Sequence, residues 1–253
     1  MTSIRESLKT PLNHRTIREF KNEPVDEEIV NTLMDVANRT ATSVGMQSYG
    51  IIRIKDEKKK QALSEICGQE YVARAPELWI FFVDCYRNYQ IAKEQDYPVG
   101  ETVDPDRFFQ GFTDGALAAQ NVTSALESLG LGSVFLGSIL NDIRKVIELL
   151  NLPKYTFPIV GIGFGYPDQS PQLKPRMDTE LKFFTDEYKI HDNYLKAIED
   201  YDREMQTYYD LRDANRRVDC FSKQVVTRMK DSLPKRREII RIMEEQGFNL
   251  NLK

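Results

Sequence analysis

Two short basic segments of this chain carry the residue types that hold a phosphate monoester. One is His14-Arg15-Thr16-Ile17-Arg18; the other is Lys174-Pro175-Arg176. Arginine offers a planar, bidentate fork to phosphate oxygens, and lysine a compact charge. Arg15 and Arg18 lie three residues apart. Lys174 and Arg176 flank a proline that keeps the backbone extended, so their side chains can face one ligand together. In a chain of net charge -4, such clusters gain most when an anion sits between them. The competing reading is that each pair caps a helix or meets nearby carboxylates such as Glu19 and Asp178.

Other chemistry is scarce. The two histidines, His14 and His191, are far apart, and Cys67, Cys85 and Cys220 form no CxxC pair. A multi-histidine metal site, a structural zinc and a thioredoxin-like dithiol are all disfavoured. The cysteines read as buried free thiols in a reducing compartment. If the chain is an enzyme, its difficult chemistry belongs to a bound cofactor. Gly161-x-Gly163-x-Gly165 looks like a dinucleotide loop, but it sits in a strand-like run followed by Pro167 and lacks the strand-to-helix turn that motif needs. Alternating strand glycines leave room for a close neighbour or a flat ligand.

These residues need a scaffold, and 253 residues with 41% hydrophobic and 29% charged content can supply one. The negative charge argues against general nucleic-acid binding. No secretory signal is visible in residues 1–9, and apolar runs such as 78–83 are far shorter than a bilayer requires. The expectation is a cytoplasmic protein with neither nucleic-acid nor membrane partners. Helices are expected over 3–10 (ended near Pro11), 26–38, 56–66, 108–129 (ended by Gly130 and Gly132) and 141–150 (capped by Asn141). Strands are expected over 49–54, 78–83, 133–136 and 157–164, the second buried on both faces. Small residues at 116–119 predict close packing of the long helix. The imperfect alternation of helix and strand favours an α+β sheet over a doubly wound fold. From about Asp178 the chain turns rich in tyrosine and charge, which reads as a helical tail wrapped on the body or on a second subunit. Lys235-Arg236-Arg237 in that tail reads as a solvated helix face.

The segments HRTIR (14–18), ATSVGMQ (41–47), GQEYVARAPE (68–77), FLGSILN (135–141) and FPIVGIGFGYPDQSPQLKPR (157–176), in this order, resemble the FMN-dependent nitroreductase family. The branch they are most similar to is that of oxygen-insensitive NADPH nitroreductases and NADPH-flavin oxidoreductases. The resemblance implies a mixed, largely antiparallel sheet surrounded by helices. It implies an FMN-binding core over 1–177 and a helical extension over 178–253 at a homodimer interface. It implies that His14, Arg15, Thr16, Lys174 and Arg176 hold the FMN phosphate, and that Arg18 lies near the flavin pyrimidine edge, tuning its electrostatics. Ser43, Gln47 and Gln69 would hydrogen-bond the ring or ribityl chain, and Gly137 and Ser138 would bring backbone close to the ring. Electrons would pass from NAD(P)H to a flat acceptor, a nitroaromatic, quinone or free flavin, by a ping-pong route without a protein acid or base. Where relatives often show Gly-Gly-x-Arg-Asn, this chain has Leu140 in place of the arginine. Arg212, Arg216 and Arg217 stand in the segment where relatives place another arginine for the NADPH 2′-phosphate. The alternative is a flavin-binding storage, sensing or delivery module with little turnover, for which Leu140 is the only support.

Overall fold

The computed structural model describes residues 8–208, 219–230 and 233–249. They fall into two compact units, one of Met1–Ser170 with Leu233–Lys253 and one of Pro171–Ser232. The last segment, from Leu233, thus clusters with the first unit.

In the first unit, in chain order, α1 (Lys9–Leu12), α2 (Glu27–Asn38), β1 (Tyr49–Arg53), α3 (Glu57–Cys67), α4 (Tyr71–Arg74), β2 (Glu77–Asp84), α5 (Tyr86–Glu94), α6 (Pro105–Ser128), β3 (Gly132–Leu136), α7 (Ile143–Leu149) and β4 (Thr156–Gly165) build the framework. The strands form one antiparallel sheet in the order β1-β2-β4-β3. This is the expected α+β architecture. Strand β2 is central and buried along most of its length, as its continuous apolar run demands.

Helices cover both faces of the sheet. Trp79, Phe81, Ile162 and Phe164 meet α2 and α6 through Val30, Leu33, Ala119, Val122 and Leu126. On the other face Leu78, Ile80, Val134 and Leu136 meet Leu63 and Cys67 of α3 and Ile143 and Val146 of α7. A register shift between Phe81 and Phe82 carries Val83 to this second face. Each fully buried large apolar side chain contributes roughly 1.5–3 kcal/mol relative to exposure.

The helix ends follow local chemistry. Asp26, Asp56 and Asp104 accept N–H groups of the first turns of α2, α3 and α6. Several expectations are corrected. Of the helix expected over 3–10, residues 3–7 lie outside the described residues; the described part, α1, runs through Pro11, because a proline in the first turn forfeits no helical bond. The long helix starts at Pro105, not at 108. Gly130, at φ 81, closes that helix, but Gly132 is the first residue of β3 rather than a cap. A short 3₁₀ turn, Gly137–Asp142, precedes α7, so Asp142 and not Asn141 caps it. Of the small stretch 116–119, Ala118 and Ala119 are buried while Leu117 is 48% exposed. Helix α5 was not foreseen.

The second unit, taken by itself, contains α8 (Tyr194–Ala197), α9 (Glu199–Thr207) and α10 (Phe221–Lys230). Asp202 accepts the Ser222 N–H at 2.9 Å, and the Tyr201 and Phe221 rings lie 5.3 Å apart. Helix α11 (Ile239–Glu245) belongs to the returning segment of the first unit. There Ile242, Met243 and Phe248 enter the second core face, Gln246 bonds Pro153 and Thr156, and Arg144 pairs with Glu238 and Glu245. Lys235 pairs with Asp142.

Candidate functional site

The strip after α1 is fixed by backbone bonds to the ends of β3 and β4. Thr16 forms a parallel bridge with Ser133, Ile17 N–H donates to Ser133 O at 2.8 Å, and Lys21 N–H donates to Tyr166 O at 2.9 Å. Ile17 is buried over Gly132, where any Cβ would come within 2.5 Å of it. The glycine therefore lets the strip lie close to the strand, which anchors the backbone carrying Arg15, Thr16 and Arg18.

Polar side chains in the strip already have uses or wait for one. His14 Nδ1 lies 2.5 Å from Glu127 Oε1 on α6. The Glu19 carboxylate accepts from Arg74 at 2.8 and 3.1 Å, so it is taken up away from the basic strip. Arg15 Nη1 donates to Asn13 O, but its Nε is buried with no hydrogen-bond partner among the described residues. A buried donor of this kind costs free energy until something accepts from it. An anionic oxygen is the acceptor that suits a guanidinium.

A second cluster joins two distant motifs. Ser138 Oγ donates to Gln69 Oε1 at 2.8 Å, and Ser64 Oγ donates to Gln69 O at 3.0 Å. The same Ser138 hydroxyl reaches the Cys67 thiol, whose pKa burial raises and this contact partly lowers. Beside them, Gly137 has nothing within 4 Å of where a Cβ would stand. Gly137 is exposed, so its backbone stands open next to the Ser138–Gln69 pair. By contrast, Gly161 and Gly163 are closely faced by Ile80, Leu136 and Ala75, and Gly165 by Pro76. Those strand glycines serve packing rather than a flat ligand.

The third cluster is the loop over 41–48. Ser43–Gly45 forms a 3₁₀ turn, and Val44, Gly45 and Gln47 have φ of 44°, 72° and 50°. Asp114 of α6 accepts from Ser43 N–H at 2.8 Å and Ser48 N–H at 3.3 Å. Asn88 donates to Met46 O at 2.9 Å, and Arg87 donates to Gln47 O. Asp114, Asn88, Arg87 and Glu127 were not singled out from sequence. Asp114 carried a signal: an acidic residue between Gly111 and Gly115 on the buried face of a long helix.

Lys174 and Arg176 lie in the second unit. Arg176 Nη1 donates to the Lys174 and Pro175 carbonyls at 3.2 Å. Its charge also reaches Tyr201, opposing the rise that burial imposes on the phenol. Arg212, Arg216 and Arg217 lie outside the described residues. Leu140 is 9% exposed and belongs to the core face shared with Leu63 and Ile143, so this position is a packing position. The three cysteines are free and buried. Among the described residues no cluster of His, Cys, Asp and Glu could hold a metal ion, and no helix is long and apolar enough to cross a membrane.

The residues present fit a phosphorylated, flat cofactor. The orphaned Arg15 donor calls for an anion, and the exposed backbone at Gly137 beside the Ser138–Gln69 pair admits a flat group at close approach.

Comparison with known proteins covers most of the chain. Residues 12–166 match the nitroreductase family, and residues 174–251 match the nitroreductase family C-terminal domain. The chain is 33% identical over 251 residues to the FMN reductase (NADPH) of Bacillus subtilis, spanning 98% of this chain and 100% of that one. Among solved structures it is similar to the NfrA1 nitroreductase of Bacillus subtilis, with TM-score 0.89 and 33% identity over 97% of this chain and 100% of that one. It is also similar to the NADPH:FMN oxidoreductase of Vibrio harveyi complexed with NAD+, with TM-score 0.85 and 29% identity over 97% and 99% of the two chains.

Proposed function

The chain belongs to the nitroreductase family, and from that premise we propose that it is an FMN-dependent, NADPH-oxidising reductase of flat acceptors such as free flavins, nitroaromatics and quinones. The observation that carries the reading furthest is the buried Arg15 Nε, which has no acceptor among the described residues. FMN, when bound, would supply the redox chemistry that links oxidation of NAD(P)H to reduction of the second substrate in a ping-pong cycle.

The protein's part is binding, orientation and electrostatics. Arg15, with a buried donor in need of an acceptor, Thr16 and His14 hold the phosphate. Glu127 orients His14 by engaging its Nδ1. The family motif assigns the phosphate to Lys174 and Arg176 as well, residues of the second unit. Arg18 would supply a permanent positive charge near the ring, which suits the negative charge that reduction brings. Ser138 and Gln69 fix one another before the ligand arrives, which lowers the ordering cost of binding. Ser43 and Gln47 contribute from a loop anchored at several points. No protein acid or base is needed at the reacting atoms.

The reductant is NADPH, following the relatives named above. Leu140 is a core residue, so its difference from the family pattern records packing and gives no support to a storage module. Phe109 and Leu117 are 61% and 48% exposed on α6, eight residues apart and so on one helix face. We propose that this face is covered by a second copy in a homodimer.

Steady-state rates with NADPH and NADH against free FMN, a quinone and a nitroaromatic test the reading. Parallel double-reciprocal lines with NADPH preferred are expected. Intersecting lines, or turnover with none of the acceptors, would overturn it.

A further inference from the structure

We infer that Asp114 is the positioning residue that sets the shape of the 43–48 loop and thereby aims Ser43 and Gln47 at the flavin. The inference rests on the FMN reading above and adds to it a residue distant in sequence from every binding motif.

The loop cannot hold its shape by local preference. Val44 sits at φ 44° and Gln47 at φ 50°, the left-handed region that residues with a Cβ enter only at a cost. For a β-branched valine this is a marked outlier. Val44 is also 76% exposed, so burial of its side chain does not compensate. Something outside the loop must impose the conformation.

Helix α6 does so from beneath. Asp114 is 1% exposed, and its two oxygens accept from the N–H groups at both ends of the loop, Ser43 and Ser48. Charge-assisted bonds from a buried carboxylate to backbone are among the stronger ones available. One turn earlier, Gly111 forms a notch: a Cβ there would stand 2.5 Å from Ser48 O. Notch and carboxylate together bring the loop ends onto the helix and fix the distance between them. Asn88 and Arg87 then restrain the carbonyls of Met46 and Gln47. With both ends pinned, the intervening residues must turn through left-handed backbone, which gives Ser43 and Gln47 their placement.

The test measures FMN affinity by flavin fluorescence titration of the full chain, with backbone amide exchange as a readout independent of turnover. Asp114→Asn keeps the shape but replaces one acceptor with a donor. It should weaken FMN binding about tenfold and speed exchange at Ser43 and Ser48. Adding Val44→Asn, which tolerates left-handed backbone, should recover much of that affinity, a rescue that a role in helix packing alone would not produce. Gly111→Ala attacks the same anchor without touching the charge, gains helix propensity, and should weaken FMN binding similarly; it decides the matter if Asp114→Asn does not fold. Unchanged FMN affinity in both single variants, or no recovery on adding Val44→Asn, overturns the positioning role while leaving the flavin reading intact. A wild-type chain that takes up no FMN overturns both.

Discussion

The Ser138 hydroxyl donates to Gln69 Oε1 at 2.8 Å, joining two residues that are 69 positions apart in the chain. One stands on the 3₁₀ turn after β3 and the other in the loop between α3 and α4. Their meeting sets a fixed polar pair beside the exposed Gly137 before any ligand binds.

Gly137→Leu should abolish FMN uptake while leaving the fold intact. Apart from its two chain neighbours, nothing stands within 4 Å of the position its Cβ would take, and Gly137 is exposed, so the body of the protein has no reason to resist the substitution. The check is a pair of measurements, thermal unfolding of the apoprotein and flavin content after reconstitution. A variant that retains FMN shows that the ring does not use this space.

Arg15→Ala should weaken FMN binding by about 1.5–3 kcal/mol, roughly 10- to 150-fold, by removing a charge-assisted phosphate contact. Equilibrium titration with FMN and with riboflavin, which lacks the phosphate, distinguishes this role. The loss should be large for FMN and near zero for riboflavin.

Much of this was legible in the sequence, for definite reasons. Strands β2 and β4 announce themselves as apolar runs too continuous for surface, and Asp26 and Asp56 mark the starts of α2 and α3. The basic strip at 14–18 was visible because charges concentrate there in an acidic chain. What was not legible came from contacts across long sequence distances. Whether Glu19 or a ligand satisfies Arg15 depends on Arg74, 55 residues beyond Glu19, taking that carboxylate. Gly132 resembles a helix cap until Ile17 is seen to lie on it. Glu127 looks like a solvent-facing position of a helix until the strip that it holds is placed, and Asp114, though on the apolar face, has no visible partner until the 43–48 loop is placed. Leu140 resembles a lost functional arginine until its core neighbours are known.

Arg53 links Glu27 to Glu77, donating at 2.7 Å to each, while Trp79 Nε1 donates to Glu77 at 3.1 Å. Arg53→Ala leaves the largely buried Glu77 carboxylate with the indole alone and should cost about 3 kcal/mol of stability. The Arg53 and then the Lys55 hydrogen bonds hold the Glu27 carboxyl down at about 2. A depressed carboxyl stabilises the fold above its ordinary range and loses that contribution as pH falls from about 4.5 toward 2. Urea unfolding across that interval should therefore show a shallower pH dependence in Arg53→Ala than in the wild type.

Leu140→Arg, which restores the residue common among relatives, should destabilise this chain by about 3 kcal/mol or more, since it places an unpaired cation among Leu63, Ile143 and their neighbours. Leu140→Met should cost less than about 1.5 kcal/mol. Thermal unfolding compares the two; equal stability would show that the position is open to solvent.

The central claim is that this chain binds FMN and lets NADPH reduce it. The direct measurement is anaerobic addition of NADPH to the FMN-reconstituted protein while the visible flavin absorbance is followed, with Arg18→Ala alongside. Rapid bleaching in the wild type, slowed in Arg18→Ala, is the predicted result. A chain that takes up no FMN, or one whose oxidised flavin spectrum persists after NADPH is added, would contradict the account.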